Sequence, residues 1–193
     1  MMHPDTEVRF ISDAVGYGVF ALRAIPRGTI TWITDPLDLK LTRDQVELLP
    51  PLCRRAAYHY TYVDPAGMYV LCWDHGKFVN HSCDPNCLSA GFQFEFAIRH
   101  IAPDEQLTDE YSLLNLEEPM DCQCGSPKCR GRISSDEVQE AIATWDSVVA
   151  ESFGHIGKVN QPLWPLSTDA AEVEAILRGE LPIPSCALLQ IRE

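Results

Sequence analysis

Basic residues are scarce in this chain. Its 15 lysines and arginines stand against 28 aspartates and glutamates, which gives a formal net charge of −13. Contact with nucleic-acid phosphates needs a basic surface, so the composition argues against direct nucleic-acid binding. An acidic surface instead attracts cationic partners, such as a basic protein segment that carries lysine. The alternative is that acidity only keeps the protein in solution, and charge alone favours that second interpretation.

Long apolar runs are also missing. No apolar stretch approaches the roughly 20 residues that a membrane helix requires. The first ten residues contain neither the apolar segment nor the small-residue cleavage site of an export signal. We therefore expect a cytoplasmic protein without membrane attachment. A chain of 193 residues fits one domain, or one domain with a small appendage.

Several motifs are absent, and each absence excludes a class of protein. Without a Cys-x-x-Cys pair, a thiol redox protein is disfavoured. A zinc deaminase would also need a His-x-Glu pair, which is missing. A zinc-dependent hydrolase that uses His81 and the cysteines stays open as a distant alternative. Gly16-Tyr17-Gly18 has no third glycine on a following helix, so it is not a dinucleotide-binding fingerprint.

Short strands are the main element that the sequence predicts. β-rich runs between residues 8 and 34 are separated by glycine and proline, and Phe92, Phe94 and Phe96 alternate with polar residues, which indicates a strand with one buried face. The segment 42–45 is typical of a capping box that opens a short helix. Helical spacing returns in the last third of the chain, at Val138, Ile142, Trp145, Val149 and Phe153. This tail is interpreted as a packing appendage, with a lid or partner surface as the alternative.

Cysteine is the unusual component, with eight in the chain. Cys122, Cys124 and Cys129 lie within eight residues, and clustered cysteines in a cytosolic protein favour a metal site over disulfides. Three thiolates suit tetrahedral zinc, which needs a fourth ligand from elsewhere in a structural site. Three ligands also fit a catalytic zinc with an open position, although all-thiolate sites are mostly structural. Of the five cysteines outside this cluster, Cys53, Cys72, Cys87 and Cys186 are predicted to be core thiols.

Four segments together resemble the SET-domain family with its post-SET zinc segment, in the form of small stand-alone bacterial proteins. The segments are Ala14–Phe20 with Ile25–Gly28, Asn80-His-Ser-Cys-Asp-Pro-Asn86, Glu105–Tyr111 and Cys122–Cys129. The resemblance covers about residues 7–132. It implies a mainly β fold with short helices, built from several small curved sheets. In this fold the Asn80 segment and the Tyr111 segment are threaded together as a pseudoknot. A C-terminal helical extension follows this fold.

The resemblance also implies an activity, that of a protein-lysine N-methyltransferase that uses S-adenosylmethionine. Its partner is then a basic protein or peptide that carries the target lysine, with histone-like proteins among the candidates. Tyr111 is then the catalytic residue. The cofactor-binding residues are Gly16, Tyr17, Gly18, Asn80, His81 and Tyr111. Cys83 becomes the fourth zinc ligand beside Cys122, Cys124 and Cys129. The domains implied are a SET domain at 5–113, a post-SET segment at 118–134 and a helical extension at 135–193.

Three residues or segments depart from the family pattern. Asp109 stands where the family commonly has an aromatic residue, and a carboxylate there could hold the amine or an extra water, or could shift the alignment by one residue, so the degree of methylation stays open. Lys77 replaces a usual arginine, which weakens any salt bridge carried over from the family. Trp32–Asp35 replaces a usual Tyr-x-Gly-Glu, so Trp32, Trp73 or Tyr69 is expected to build part of the channel wall. The competing interpretation is a catalytically silent SET-like binding module, which the presence of Tyr111, Asn80 and His81 disfavours.

Overall fold

The computed structural model describes residues 1–191. Most of its strands are short, with bounds β1 Thr6–Ser12, β2 Gly16–Ala21, β3 Ile30–Ile33, β4 Leu39–Leu41, β5 Thr61–Val63, β6 Tyr69–Leu71, β7 Asn80–His81, β8 Cys87–Leu88, β9 Phe94–Ala97, β10 Gln106–Asp109, β11 Met120–Asp121 and β12 Arg132–Ile133. The α-helices are α1 Arg43–Glu47, α2 Pro51–Tyr60, α3 Val138–Phe153 and α4 Ala170–Leu177. No helix in this part of the chain is long and apolar enough to cross a membrane.

Within the described residues, the strands form four small sheets. Their strand orders are β1-β2-β10-β7, β3-β9-β8, β4-β6-β5 and β11-β12. This architecture confirms the predicted class, mainly β with short helices. The threading of the Asn80 and Tyr111 segments as a pseudoknot stays a prediction.

The first two helices follow from their local sequence. Thr42 caps α1 through its side chain, which accepts from the Gln45 backbone N–H, and the Gln45 side chain accepts from the Thr42 N–H, so the predicted capping box is confirmed. Pro51 stands at the start of α2, where its missing N–H costs nothing and its fixed φ suits a helix. Pro50 and Pro51 thus follow the end of α1, and Pro51 is the first residue of α2.

The C-terminal helices contribute to the main apolar core. Phe94 and Phe96 of β9 pack in one cluster with Val149 and Phe153 of α3 and Val173 of α4. Phe96 and Phe153 are fully buried with ring centroids 6.1 Å apart, and truncating such a phenylalanine to alanine typically costs about 3–5 kcal/mol. The tail thus packs on the sheet β3-β9-β8, as the appendage interpretation expects.

A second apolar cluster lies against the opposite face of β9. It contains Val19, Trp32, Ala97 and Leu107, among others. Side chains alternate between the two faces of a strand, so both faces of β9 are covered, and the prediction of one buried face is wrong on this point. The prediction that Cys53 is a core thiol is also wrong, since Cys53 is exposed on α2, whereas Cys72, Cys87 and Cys186 are buried.

Candidate active site and zinc site

The Asn80 and Tyr111 segments meet through parallel strand pairing. β7 pairs with β10 so that Asn80 faces Thr108 and His81 faces Asp109. Asn86 extends this contact, because its side-chain amide donates to the Gln106 carbonyl at 2.8 Å and accepts from the Thr108 N–H at 2.8 Å. Asn86 is 1% exposed and thereby fixes the two segments side by side. Its role was not predicted from the sequence, although an amide that both donates and accepts suits such a bridge.

Tyr111 follows β10 and its side chain points back to the Asn80 segment. Its hydroxyl donates to the Val79 carbonyl at 2.5 Å, and its backbone N–H donates to Nδ1 of His81 at 3.2 Å. Burial raises the pKa of Tyr111, and the nearby carboxylates of Asp109 and Glu95 raise it further. The phenol therefore stays protonated at neutral pH and can position a partner by hydrogen bonding.

The His81 side chain links Tyr111 to the cysteines. Because Nδ1 accepts from the Tyr111 N–H, the proton of the neutral ring lies on Nε2, which is 3.2 Å from Sγ of Cys83. Burial lowers the pKa of His81, and the charge of Glu110 opposes that effect only in part. Both ring nitrogens of His81 thus have partners within the protein, which favours a structural role for this side chain as a hydrogen-bonding group.

The glycine turn lies beside Asn80. Asn80 Nδ2 donates to the Tyr17 carbonyl at 2.8 Å, so the predicted cofactor residues Tyr17, Gly18 and Asn80 are neighbours. A Cβ on Gly18 would lie 2.6 Å from Nε2 of Gln106, closer than real Cβ contacts allow, and 3.1 Å from Nδ2 of Asn80, which is tighter than most. Gly16 has a φ of +80°, which favours glycine. The turn therefore needs glycine at residue 18 for close packing against neighbouring side chains and at residue 16 for its backbone conformation.

Four cysteine thiols converge on the far side of His81. Sγ of Cys122 lies 3.7 Å from Sγ of Cys83 and 3.7 Å from Sγ of Cys129. Four sulfurs at about 2.3 Å from a tetrahedral zinc ion would be about 3.8 Å apart, so these spacings fit such an ion. Burial alone would raise the pKa of Cys124, but backbone N–H groups of Cys83 and Ser126 and the neighbouring thiols lower it to about 6. That environment favours the thiolate that zinc requires.

The structure offers a second set of four possible ligands. The ligand atoms of His81, Cys83, Cys122 and Cys124 all lie within 4.8 Å of one another. The set predicted from the resemblance has Cys129 in place of His81. The two sets share three cysteines, and they differ in whether His81 coordinates the metal or only donates a hydrogen bond to Cys83.

A buried ion pair joins the cysteine loop to the residue before Tyr111. Nη2 of Arg130 donates to both carboxylate oxygens of Glu110, at 2.7 and 2.9 Å. Glu110 is 1% exposed, and its carboxylate also accepts from the Ser112 N–H at 3.1 Å. The sequence analysis missed this pair, because its members lie in separate motifs. Arg130 thus connects the position of the cysteine loop to that of Tyr111.

The departures expected to shape the substrate channel lie as follows. Asp109 is 4% exposed, and Trp32 is buried with its ring 5.8 Å from that of Tyr62. Tyr69 is buried and its hydroxyl donates to Glu117. Trp73 is partly exposed and its indole N–H donates to Asp35 at 2.9 Å. Of the three aromatic candidates, Trp32 lies in the same apolar cluster as Val79, which accepts the Tyr111 hydrogen bond.

Comparison with known proteins matches residues 16–112 to the SET domain family model. The chain is 28% identical over 148 residues to "Histone-lysine N-methyltransferase ATX2" of Arabidopsis thaliana, which covers 66% of this chain and 13% of that protein. It is 30% identical over 138 residues to "Histone-lysine N-methyltransferase ash1" of Drosophila melanogaster, covering 65% of this chain and 6% of that protein. A crystal structure of KRYPTONITE with mCHH DNA, an H3(1-15) peptide and SAH covers 68% of this chain and 30% of that chain, at 20% identity and a TM-score of 0.49. The chain therefore spans a small fraction of the curated relatives that it matches.

Proposed function

The chain belongs to the SET-domain family, and on that premise we propose that it is a protein-lysine N-methyltransferase that uses S-adenosylmethionine. The observation that carries the proposal is the pairing of β7 with β10, which brings Tyr111 to the segment of Val79 and Asn80. Asn80 in turn contacts the glycine turn at Tyr17. The residues proposed to bind the methyl donor and the proposed catalytic residue therefore lie next to one another in the structure.

The cofactor site is proposed at Gly16, Tyr17, Gly18, Asn80, His81 and Tyr111. The 2.8 Å hydrogen bond from Nδ2 of Asn80 to the Tyr17 carbonyl supports this assignment, because it holds the glycine turn beside the Asn80 segment. When bound, S-adenosylmethionine supplies a methyl group on a positively charged sulfur. Asn80 and the backbone of the turn would hold it, while Tyr111 would orient the acceptor amine.

Zinc is proposed to be bound by Cys83, Cys122, Cys124 and Cys129. The 3.7 Å sulfur spacings support this four-thiolate set, and the Nε2–H of His81 would then donate to Cys83 from outside the metal sphere. A closed four-thiolate site is structural. Its role would be to hold the loop of Arg130 against Glu110 and so beside Tyr111.

The lysine nitrogen must lose a proton before it can attack a methyl group, although a free lysine has a pKa of about 10.4. A site of low polarity close to a positive sulfur lowers that value, since it disfavours a second positive charge. Alignment of nucleophile and methyl group by the protein supplies several further kcal/mol. Tyr111 would serve that alignment through its hydroxyl, which Val79 already holds.

The partner is proposed to be a basic protein or peptide segment, with histones as first candidates. The net charge of −13 and the names of the two relatives support that class. We also propose the division into a SET domain at 5–113, a post-SET segment at 118–134 and a helical extension at 135–193. A cytoplasmic location stays a prediction of the same kind.

The test is transfer of labelled methyl from S-adenosylmethionine to a panel of basic proteins that includes core histones. Tyr111→Phe is compared with wild type and with Tyr58→Phe, which removes the hydroxyl of an exposed tyrosine on α2. We expect label on lysine, a loss of about a hundredfold in kcat for Tyr111→Phe, and no change for Tyr58→Phe. Cofactor binding without transfer to any substrate would favour the silent binding module. Absence of cofactor binding by folded, zinc-loaded protein would contradict the proposal.

A further inference from the structure

Two acidic side chains project into the second apolar cluster. Phe94 and Phe96 of β9 lie in the main core, so Glu95 between them points to the opposite face, together with Ala97. On β10, Asp109 shares the face of Leu107, a member of that second cluster. Each carboxyl group affects the pKa of the other, which places the two groups close together. Glu95 and Asp109 therefore form one acid pair in apolar surroundings.

In the part of the chain that the structure describes, neither member of this acid pair has an ion-pair partner. Glu95 is half-buried and Asp109 is buried, and the buried carboxylates of Glu110 and Asp35 differ from them in being paired with Arg130 and with the N-terminal ammonium group. A buried carboxylate without a cation is costly, and the usual outcome is that it keeps a proton. Burial raises the pKa of Glu95 well above its usual range and that of Asp109 to about 7. Near neutral pH the pair thus keeps one proton, and its second carboxyl is divided between the charged and the protonated form.

Aromatic side chains surround the acid pair. The carboxylates of Asp109 and Glu95 lie near enough to Tyr111 to raise the pKa of its hydroxyl, and Glu95 acts in the same way on Tyr62. Trp32 pairs with Glu95 across the sheet, stacks edge-on with Tyr62, and has a buried indole N–H without a partner among the described residues. Unsatisfied buried polar groups call for a ligand or a water. Negative charge within aromatic faces is an environment that favours an alkylammonium group.

We propose that Glu95 and Asp109 bind the ammonium group of the substrate lysine and take its proton before methyl transfer. This inference rests on the proposed function and adds two residues to it. The N–H bond of the ammonium breaks, and its proton forms an O–H bond on the pair, which becomes neutral with two protons. The freed lone pair then forms the C–N bond, while the C–S bond of S-adenosylmethionine breaks and its electrons remain on sulfur. The product nitrogen carries the positive charge that sulfur loses.

The acid pair suits this step for two physical reasons. A proton acceptor works best when its proton affinity approaches that of the donor, and burial moves both carboxyls in that direction. The pair also attracts the ammonium before the reaction and loses its charge when the proton arrives. That loss of charge removes the attraction that would otherwise favour the unreactive ammonium form.

The experiment measures binding of two small probes to the zinc-loaded protein with S-adenosylhomocysteine present. n-Butylammonium carries the charge of a lysine side chain, and n-butanol has the same size without it. NMR titration of both probes is carried out on wild type, Glu95→Gln, Asp109→Asn and the control Glu118→Gln, an exposed carboxylate. We expect wild type to prefer butylammonium, and each of the two site variants to weaken that probe about tenfold while butanol binding stays unchanged.

The outcomes separate this inference from the proposed function. Equal affinity of wild type for the two probes, or equal losses for both in the variants, would overturn the acid pair as an ammonium site. Wild-type protein that prefers butylammonium but transfers no methyl group would contradict the proposed function and leave the ammonium site supported. In active protein, we expect kcat to fall at least tenfold in Asp109→Asn and Glu95→Gln, with KM for S-adenosylmethionine unchanged. A change in that KM instead would indicate a general distortion and count against the inference.

Discussion

Replacing Arg130 by methionine tests whether the cysteine loop supports the segment of Tyr111. The substitution keeps the apolar stem and removes the two hydrogen bonds, at 2.7 and 2.9 Å, that Glu110 receives from the guanidinium group. Glu110 is 1% exposed with Arg130 in place, and the substitution leaves the Ser112 N–H as its remaining close donor. Removing one member of a buried ion pair costs about 3–5 kcal/mol. Because the Arg130 side chain is 30% exposed, water replaces part of it, and we expect a loss of about 2 kcal/mol.

Urea denaturation with zinc in excess measures this loss, and the rate of zinc release to a chelator measures its effect on the loop. Arg132→Met is the matched control, since Arg132 is exposed on β12 and forms no ion pair with any side chain that the structure describes. We expect the control to change the free energy of unfolding by less than about 0.5 kcal/mol. The double variant Glu110→Gln, Arg130→Met should recover part of the loss, because it leaves no unpaired buried charge. If Arg130→Met and Arg132→Met behave alike, the ion pair does not connect the two parts of the site.

Three further predictions concern the metal, the glycine turn and the acid pair. Cys129→Ser should bind less than one zinc per chain by metal analysis while His81→Gln keeps one, and the reverse result would place His81 in the metal sphere. Gly18→Ala should lower stability by about 1–3 kcal/mol through overpacking and weaken S-adenosylmethionine binding in calorimetry, whereas Gly154→Ala, which meets no atom within 4 Å, should do neither. The stability that the acid pair contributes should decline as pH rises from about 4 to about 7, since both folded carboxyls hold protons that the unfolded chain has released, at up to about 1.4 kcal/mol per pH unit for each carboxyl. Denaturant titrations should show this slope in wild type and a smaller slope in Asp109→Asn, which keeps only Glu95.

Local sequence determined what could be predicted of the fold. The capping box at Thr42, the strand of alternating phenylalanines and the helix from Val138 to Phe153 depend on neighbouring residues, and all three are confirmed. The two-residue strands β7 and β8 could not be predicted, because their conformation is set by pairing with distant strands. Their place in the site came only from the resemblance of the Asn80 segment to a known family.

Glu95 shows most clearly where local reasoning fails. A glutamate that alternates with phenylalanines is expected to face water, and nothing near it in sequence indicates that Trp32 and the cluster around Leu107 cover its side of the sheet. Glu110 and Arg130 present the same difficulty, since an ion pair between two motifs is visible only once the chain has folded. The sequence did mark Asp109 as a departure, but its partner Glu95 remained hidden.

The position of β10 between β2 and β7 has a consequence for how the chain folds. Gln106 pairs with Phe20, and Thr108 pairs with Asn80, so the strand that leads to Tyr111 finds its neighbours among segments made much earlier. Closing such long loops carries an entropic cost before any contact is gained, and proteins of this kind fold slowly. During synthesis, one edge of β2, whose other edge pairs with β1, and residues 80–81 would wait without a partner until β10 leaves the ribosome. We infer that the chain is most vulnerable to aggregation in that interval, when its future site is two open strand edges.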